Sequence, residues 1–320
     1  MNKSAIALAV AAALAASSVA VAETTLYGSI RTAVTWVDPD TVGPDDDDDD
    51  FWDFTNHGSR LGVVGSEDLG NGLSVIYQYE FGVDSIEGGN FESNRPKILG
   101  LKGGFGQVTV GTQQTPYYNV AGRGDNFNAS FYANYNGGVR DNNVLIYQTP
   151  NIAGFLGEAL IRMDGAAGDE GIDRWDLAGR YSNGPFGVGL AYQSQEVTDD
   201  EFWTASAGFS GENFSVALFY EHVDFDANAL DDTDWFGIYA DYTIGNGKIL
   251  AGLAFFDPNA DNNDDINSVD DLGDELDDDQ YEFALGYQHN LSNRTRLWVE
   301  YQQVEDVQDN RVNIGMRHDF

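Results

Sequence analysis

The sequence predicts an all-β chain, a transmembrane antiparallel β-barrel of about 16 strands with its third long connection folded inward. Three observations lead there. Apolar and polar residues alternate with a period of two along the chain, and short turns bearing Gly or Asn alternate with longer, mostly acidic connections. Beyond residue 22, no apolar run approaches the roughly 20 residues that a spanning helix needs.

The chain opens with Asn2 and Lys3, an apolar run over residues 5–16, and the small-residue sequence Ala20-Val21-Ala22. This pattern predicts a secretory signal cleaved after Ala22, because the run is too short for a membrane helix and ends at an Ala-x-Ala site. The expected layout is a signal peptide at residues 1–22 and a single barrel domain at residues 23–320.

Alternation is cleanest over residues 73–83, where Leu73, Val75, Tyr77, Tyr79, Phe81 and Val83 share one face. Ser74, Gln78 and Glu80 fall on the other. The pattern returns with Phe186, Val188, Leu190 and Tyr192, with Phe214, Val216, Leu218 and Tyr220, with Tyr281, Phe283, Leu285 and Tyr287, and with Leu297, Val299 and Tyr301. Their partners are small or polar, as Gly187 and Gln193 or Glu282 and Gln288 illustrate. Such faces suit a sheet that meets lipid on one side and water on the other. Short turns are read at residues 69–72, 103–106, 182–185, 210–213, 245–247 and 291–293, and long connections at 38–56, 85–94, 115–141, 164–172, 197–201, 224–234 and 257–279. Short turns on one rim and long loops on the other are what a barrel threaded through an outer membrane requires.

Composition agrees with this reading. The mean hydropathy of −0.35 fits strands that show lipid only at every second residue. With no cysteine there is no disulfide framework, thiol nucleophile or thiolate metal site. A formal charge of −37, from 53 acids against 16 bases, repels nucleic acid and other anionic polymers.

Four segments carry a resemblance. They are Thr25-Leu26-Tyr27-Gly28 after the signal, the strand and turn from Ser59 to Gly72, the strand-turn-strand from Gly100 to Gly111, and the terminal Gly315-Met316-Arg317-His318-Asp319-Phe320. In these segments, and in their order, the chain resembles the trimeric general porins of Gram-negative bacteria. The resemblance implies a homotrimer in outer-membrane lipid and lipopolysaccharide, passing small hydrophilic solutes and ions by passive diffusion. It also implies that Phe320 is read by the barrel-assembly machinery. Alternation independently puts Val312, Ile314, Met316, His318 and Phe320 on one outward face.

Residues 115–141 are too long for idle irregular structure. They carry Gly, Asn and aromatics rather than an acid run, and they resemble the third porin loop, which folds inward and narrows the pore. On that resemblance Asp125 is the first candidate for the acidic side of a constriction and Asp141 the second. Arg60 and Arg95 match the positions of the family's basic wall, with Lys97 and Arg31 expected on the lumen faces of their strands. Opposed rows of this kind would set a transverse field across the narrowest section. The chain departs from the pattern in lacking the acidic Pro-Glu-Phe-Gly type of loop tip and in carrying Gln148 where a further base is expected.

The runs 45–50 and 257–279 read as solvated acidic loops with at most weak Ca²⁺ or Mg²⁺ binding, since neither has the Gly-spaced pattern of a dedicated Ca²⁺ loop. No other cofactor is expected. Acid-rich mouths lead to an expectation of cation selectivity. A substrate-specific channel and a closed-barrel adhesin or scaffold are the alternatives. No catalytic site is read: the His residues at 57, 222, 289 and 318 accompany no nucleophile motif.

Overall fold

The computed structural model describes residues 23–38, 50–89, 91–92, 94–124, 126–129, 137–165, 171–226, 232–257, 280–304 and 310–320. Its strands are β1 (Glu23–Asp38), β2 (Phe51–Asn56), β3 (Arg60–Gly70), β4 (Leu73–Gly82), β5 (Lys97–Gly103), β6 (Gly106–Gln114), β7 (Arg140–Gln148), β8 (Phe155–Arg162) and β9 (Arg174–Asn183). They continue with β10 (Phe186–Gln195), β11 (Asp200–Ser210), β12 (Phe214–Asp224), β13 (Thr233–Ile244), β14 (Gly247–Asp257), β15 (Gln280–Asn290), β16 (Thr295–Val304) and β17 (Asn310–Asp319). Among the described residues a short helix, α1 (Tyr118–Ala121), lies between β6 and β7.

Seventeen segments make sixteen spanning strands, because β2 and β3 are two lengths of one. Both pair antiparallel with β1, β2 along Thr32 to Val37 and β3 along Glu23 to Ser29. The interruption between them holds Gly58 at φ 75°, and the ladder is carried across it by His57 N–H donating to the Arg31 carbonyl at 3.1 Å. Each later strand pairs with its sequence neighbour, and β17 pairs with β1 to close the sheet. Closure removes the free edges that lipid could not hydrate.

Short turns and both strand-bearing termini share one rim. A turn not singled out in the sequence, residues 149–154, completes the set between β7 and β8. The expected loop at 197–201 is instead a tight hairpin, with Asp199 at φ 59° and β11 already begun at Asp200.

Side chains divide as the alternation requires. On β10, Leu190 is 68% exposed on the outside while Gln193 inside is fully covered. Aromatic residues gather at both ends of the outer face, as a belt at each membrane interface requires. Phe186, Phe209 and Phe214 stack in sequence near the short turns with centroids 5.1 and 5.2 Å apart. Trp175, Tyr192 and Trp203 do so near the long loops, at 5.0 and 4.3 Å. Inside, polar groups such as Glu221, Asp241 and Glu300 are buried where described residues of the connection between β6 and β7 pack on the inner wall.

Candidate pore constriction

Thr115 closes the base of the inward loop: its hydroxyl donates to the Gly138 carbonyl at 2.9 Å and accepts from Tyr118 N–H at 3.0 Å. The segment that follows is buried against the inner wall, with Tyr117, Val120 and Ala121 packed on Ala178, Ala191, Phe202 and Val223. Further along, Phe127 packs on a second apolar patch containing Phe219, Trp235 and Tyr239. Burial of these side chains supplies the favourable term for drawing polar backbone into the lumen, at roughly 1.5–3 kcal/mol for each large apolar side chain.

Inner-wall acids then hold the loop. The Tyr117 hydroxyl donates to Glu221 Oε2 at 2.9 Å. Asn126 Nδ2 donates to Asp241 at 3.1 Å, and Glu300 accepts from Asn128 N, Asn128 Nδ2 and Ala129 N at 2.7, 2.9 and 2.8 Å. Asn119 Nδ2 donates to Glu158 at 3.2 Å, and Arg174 reaches the Gly137 carbonyl at 2.9 Å. Carboxylates on β8, β12, β13 and β16 therefore grip the loop across half of the circumference. Burial first, and then the Glu221 charge, raise the Tyr117 phenol well above its ordinary pKa, so it remains a neutral donor.

A second stretch of the lumen wall is basic. Arg317 lies directly opposite Arg31 on one neighbouring strand and opposite Arg296 on the other, a row of three guanidinium-bearing residues. Arg60 sits opposite Ser29, and Arg95 and Arg140 are electrostatic neighbours of Arg60. Among the described residues, two carboxylates accompany this wall. Glu80 is 3.9 Å from Arg60 and 3.8 Å from Arg95, and Asp319 is 2.8 Å from Arg317 and 3.6 Å from Arg296. Among the described residues, Arg31 and Arg140 have no carboxylate within ion-pair distance, and the Nε of Arg140 has no hydrogen-bond partner. Tyr118 of α1 is an electrostatic neighbour of Arg140, so the loop helix faces this wall. Like charges placed opposite one another on neighbouring strands cost stability, so the row is not explained by sheet packing.

The interruption of the second spanning strand contributes to the site. The Arg95 guanidinium lies over Gly58, and a Cβ there would come within 2.8 Å of Nη2. Gly58 has both the positive φ and the missing side chain that this approach needs.

Of the residues anticipated from sequence, Arg31, Arg60 and Arg95 come together on the lumen wall. Lys97 does not. It shares phase with the outward Leu99 and Leu101, and its ammonium lies 5.3 Å from the centre of the outward Phe81 ring. The physical reason is Pro96, which lacks an N–H and breaks the phase between Arg95 and Lys97. Asp141 is also placed differently: its Oδ2 is 3.3 Å from Arg174 and 3.7 Å from Arg162, a clamp at the loop base rather than a group opposing the arginines. Asp125 lies outside the described residues, as do residues 1–22 and nearly all of the two long acid runs, so the signal and Ca²⁺ or Mg²⁺ expectations fall there too. Arg140 takes the basic role for which Gln148 seemed a loss, while Gln148 itself donates to Glu158 at 2.9 Å.

Missed in the sequence were Glu80, Arg140, Arg296 and Arg317 as members of the wall, and Glu221 and Glu300 as loop anchors. Phase was their available signal. Arg317 alternates with Met316 and His318, and Glu300 with Val299 and Tyr301.

Comparison with known proteins agrees with this architecture. A family model described as Gram-negative porin matches residues 7–309. Outer membrane porin protein 32 of Delftia acidovorans is 31% identical over 93% of this chain and 88% of its own. The monosaccharide porin of a Halomonas species is 25% identical over the full length of both. An anion-selective porin from Comamonas acidovorans superposes with a TM-score of 0.73 at 24% identity, covering 94% of this chain and all of that one.

Proposed function

The chain belongs to the Gram-negative porin family, and from that premise we propose that it is a general diffusion channel passing small hydrophilic solutes and ions, with an arginine-lined constriction that favours anions. The observation that carries the proposal is the run of arginines along the lumen wall, Arg296, Arg317, Arg31, Arg60, Arg95 and Arg140, the last of them an electrostatic neighbour of Tyr118 in the inward loop, accompanied among the described residues by two carboxylates. Hydrated anions exchange part of their water for these donors, whereas a cation meets repulsion at the same section.

This reading departs from the cation preference expected from composition. The net charge of −37 includes the long acidic connections, where salt screens charges beyond about 8 Å. Guanidinium groups confined beside the loop act across a narrow path bounded by protein, where Coulomb terms are several-fold stronger than in bulk water. Local charge at the narrowest section therefore outweighs the distant total. The Comamonas protein is described as anion-selective, but at 24% identity its likeness speaks to fold alone.

A homotrimer in lipid and lipopolysaccharide, exported after removal of residues 1–22, completes the proposed biological setting. Planar-bilayer recording tests the function. Steady conductance with a zero-current potential of the anion-preferring sign supports it; a protein that never makes a lipid film conduct removes it.

A further inference from the structure

Resting on the channel reading above, we infer that the lumen holds a second subsite, on the short-turn side of the inward loop, that takes small hydroxylated carboxylates through Arg123. A recess of about 450 Å³ lies there, bounded by Arg123 of the loop and by Ser215, Asp241, Thr243 and Lys248 of the wall. It stands apart from the arginine row. Its basic group comes from the loop itself, and its walls come from β11 to β14 and their turns.

Arg123 is built into this position. Its guanidinium lies across Gly187 and Gly208, and a Cβ at Gly208 would meet its Cδ at 3.3 Å and its Nη1 at 3.5 Å. Among the described residues it makes no ion pair, its Nε is buried without a partner, and its charged neighbour is another cation, Arg180. The nearby charges are already used: Arg180 pairs with Glu158 at 2.7 Å and Lys248 with Asp241 at 2.8 Å. Asp241 further accepts from Asn126, and from Ser215 in a short hydrogen bond. Arg123 therefore stands as a guanidinium with open donors beside a polar recess. Burial and Arg180 lower its pKa from the ordinary arginine value, and a bound anion would reverse that penalty.

Charge and geometry choose the ligand class. A planar carboxylate matches the guanidinium fork and neutralises one charge, whereas a phosphate dianion would add a charge beside Asp241 and Glu212. The Ser215, Thr243 and Asn126 side chains offer partners to hydroxyl groups, so a polyhydroxylated carboxylate uses the recess better than a bare one.

The test is calorimetric titration of the detergent-solubilised full chain with gluconate, with glucose and inorganic phosphate as comparison probes. Gluconate is expected to bind more tightly than either, and Arg123→Gln to weaken it by roughly tenfold or more. Gly187→Ala is the second variant: it keeps every charge but puts a methyl group against the guanidinium, and it is expected to weaken gluconate as well. Circular dichroism reads the folded state of each variant. Gluconate binding unchanged in both variants, glucose binding as well as gluconate, or phosphate binding more tightly would overturn the subsite. Bilayer conductance is read on the same preparation. Conductance without gluconate binding removes the subsite alone, whereas binding without conductance supports the subsite and removes the channel reading.

Discussion

The Tyr117 hydroxyl meets the Glu221 carboxylate at 2.9 Å, with both side chains buried, and so joins the inward loop to β12 across 104 residues of sequence. Conversion of Tyr117 to Phe removes the donor and leaves a buried carboxylate short of a partner, at a cost of about 1–3 kcal/mol. The expected outcome is a barrel that still assembles but whose loop is less firmly held. Single-channel recordings should show more frequent conductance transitions than wild type, and an unchanged record would contradict the anchoring role.

The same phenol gives a pH dependence. Its folded-state pKa is raised above the ordinary 10.0, so its contribution to holding the loop is fully present below that value and is lost as pH rises beyond it. Loop anchoring should therefore be constant through neutral pH and weaken only in strong alkali. Comparison of wild-type and Tyr117→Phe channels checks this, because the variant should lack the Tyr117 contribution to that alkaline response.

Glu300 accepts three donors from Asn128 and Ala129, two of them backbone N–H groups. Glu300→Ala leaves those donors to water and should widen the path by releasing this length of loop from β16. Larger single-channel conductance with reduced anion preference is expected, and uptake of a larger neutral sugar into proteoliposomes checks the widening.

Glu80 partly neutralises Arg60 and Arg95, and the Tyr27 hydroxyl donates to it at 2.8 Å. Glu80→Gln keeps the shape and a hydrogen-bonding oxygen while removing the charge. The zero-current potential should move further toward the chloride equilibrium value, whereas the double change Arg60→Gln with Arg95→Gln should move it the other way.

Phe320 closes the sheet on Gly28, with reciprocal backbone bonds of 3.0 and 3.1 Å and its ring over the glycine. A side chain at residue 28 would collide with that ring. Gly28→Leu is expected to lower the yield of folded barrel, read as loss of the compact, heat-modifiable band on a denaturing gel, while Ala at the same place should do so less.

The barrel was legible because lipid and water impose a period of two. Leu190 beside Gln193, or Val299 beside Glu300, states which face is which without any long-range information. The inward loop was legible by its length and by aromatics such as Phe127, which needed something to pack on. What escaped were relationships between strands distant in sequence. Nothing local marks Glu221 as the partner of Tyr117, or sets Arg31 opposite Arg317, because register is fixed only when the sheet closes. Lys97 was misplaced because alternation was extended through Pro96, and Asp141 because its neighbours Arg162 and Arg174 lie on other strands.

The most direct measurement is the zero-current potential of the wild-type channel in a planar bilayer across a steep potassium chloride gradient. A conducting pore whose potential has the sign of chloride preference is predicted, with that preference falling when Arg31, Arg60 and Arg95 are replaced by Gln. A conducting wild-type pore with the potassium sign, or one indifferent to those three changes, would contradict the arginine wall as the section that selects.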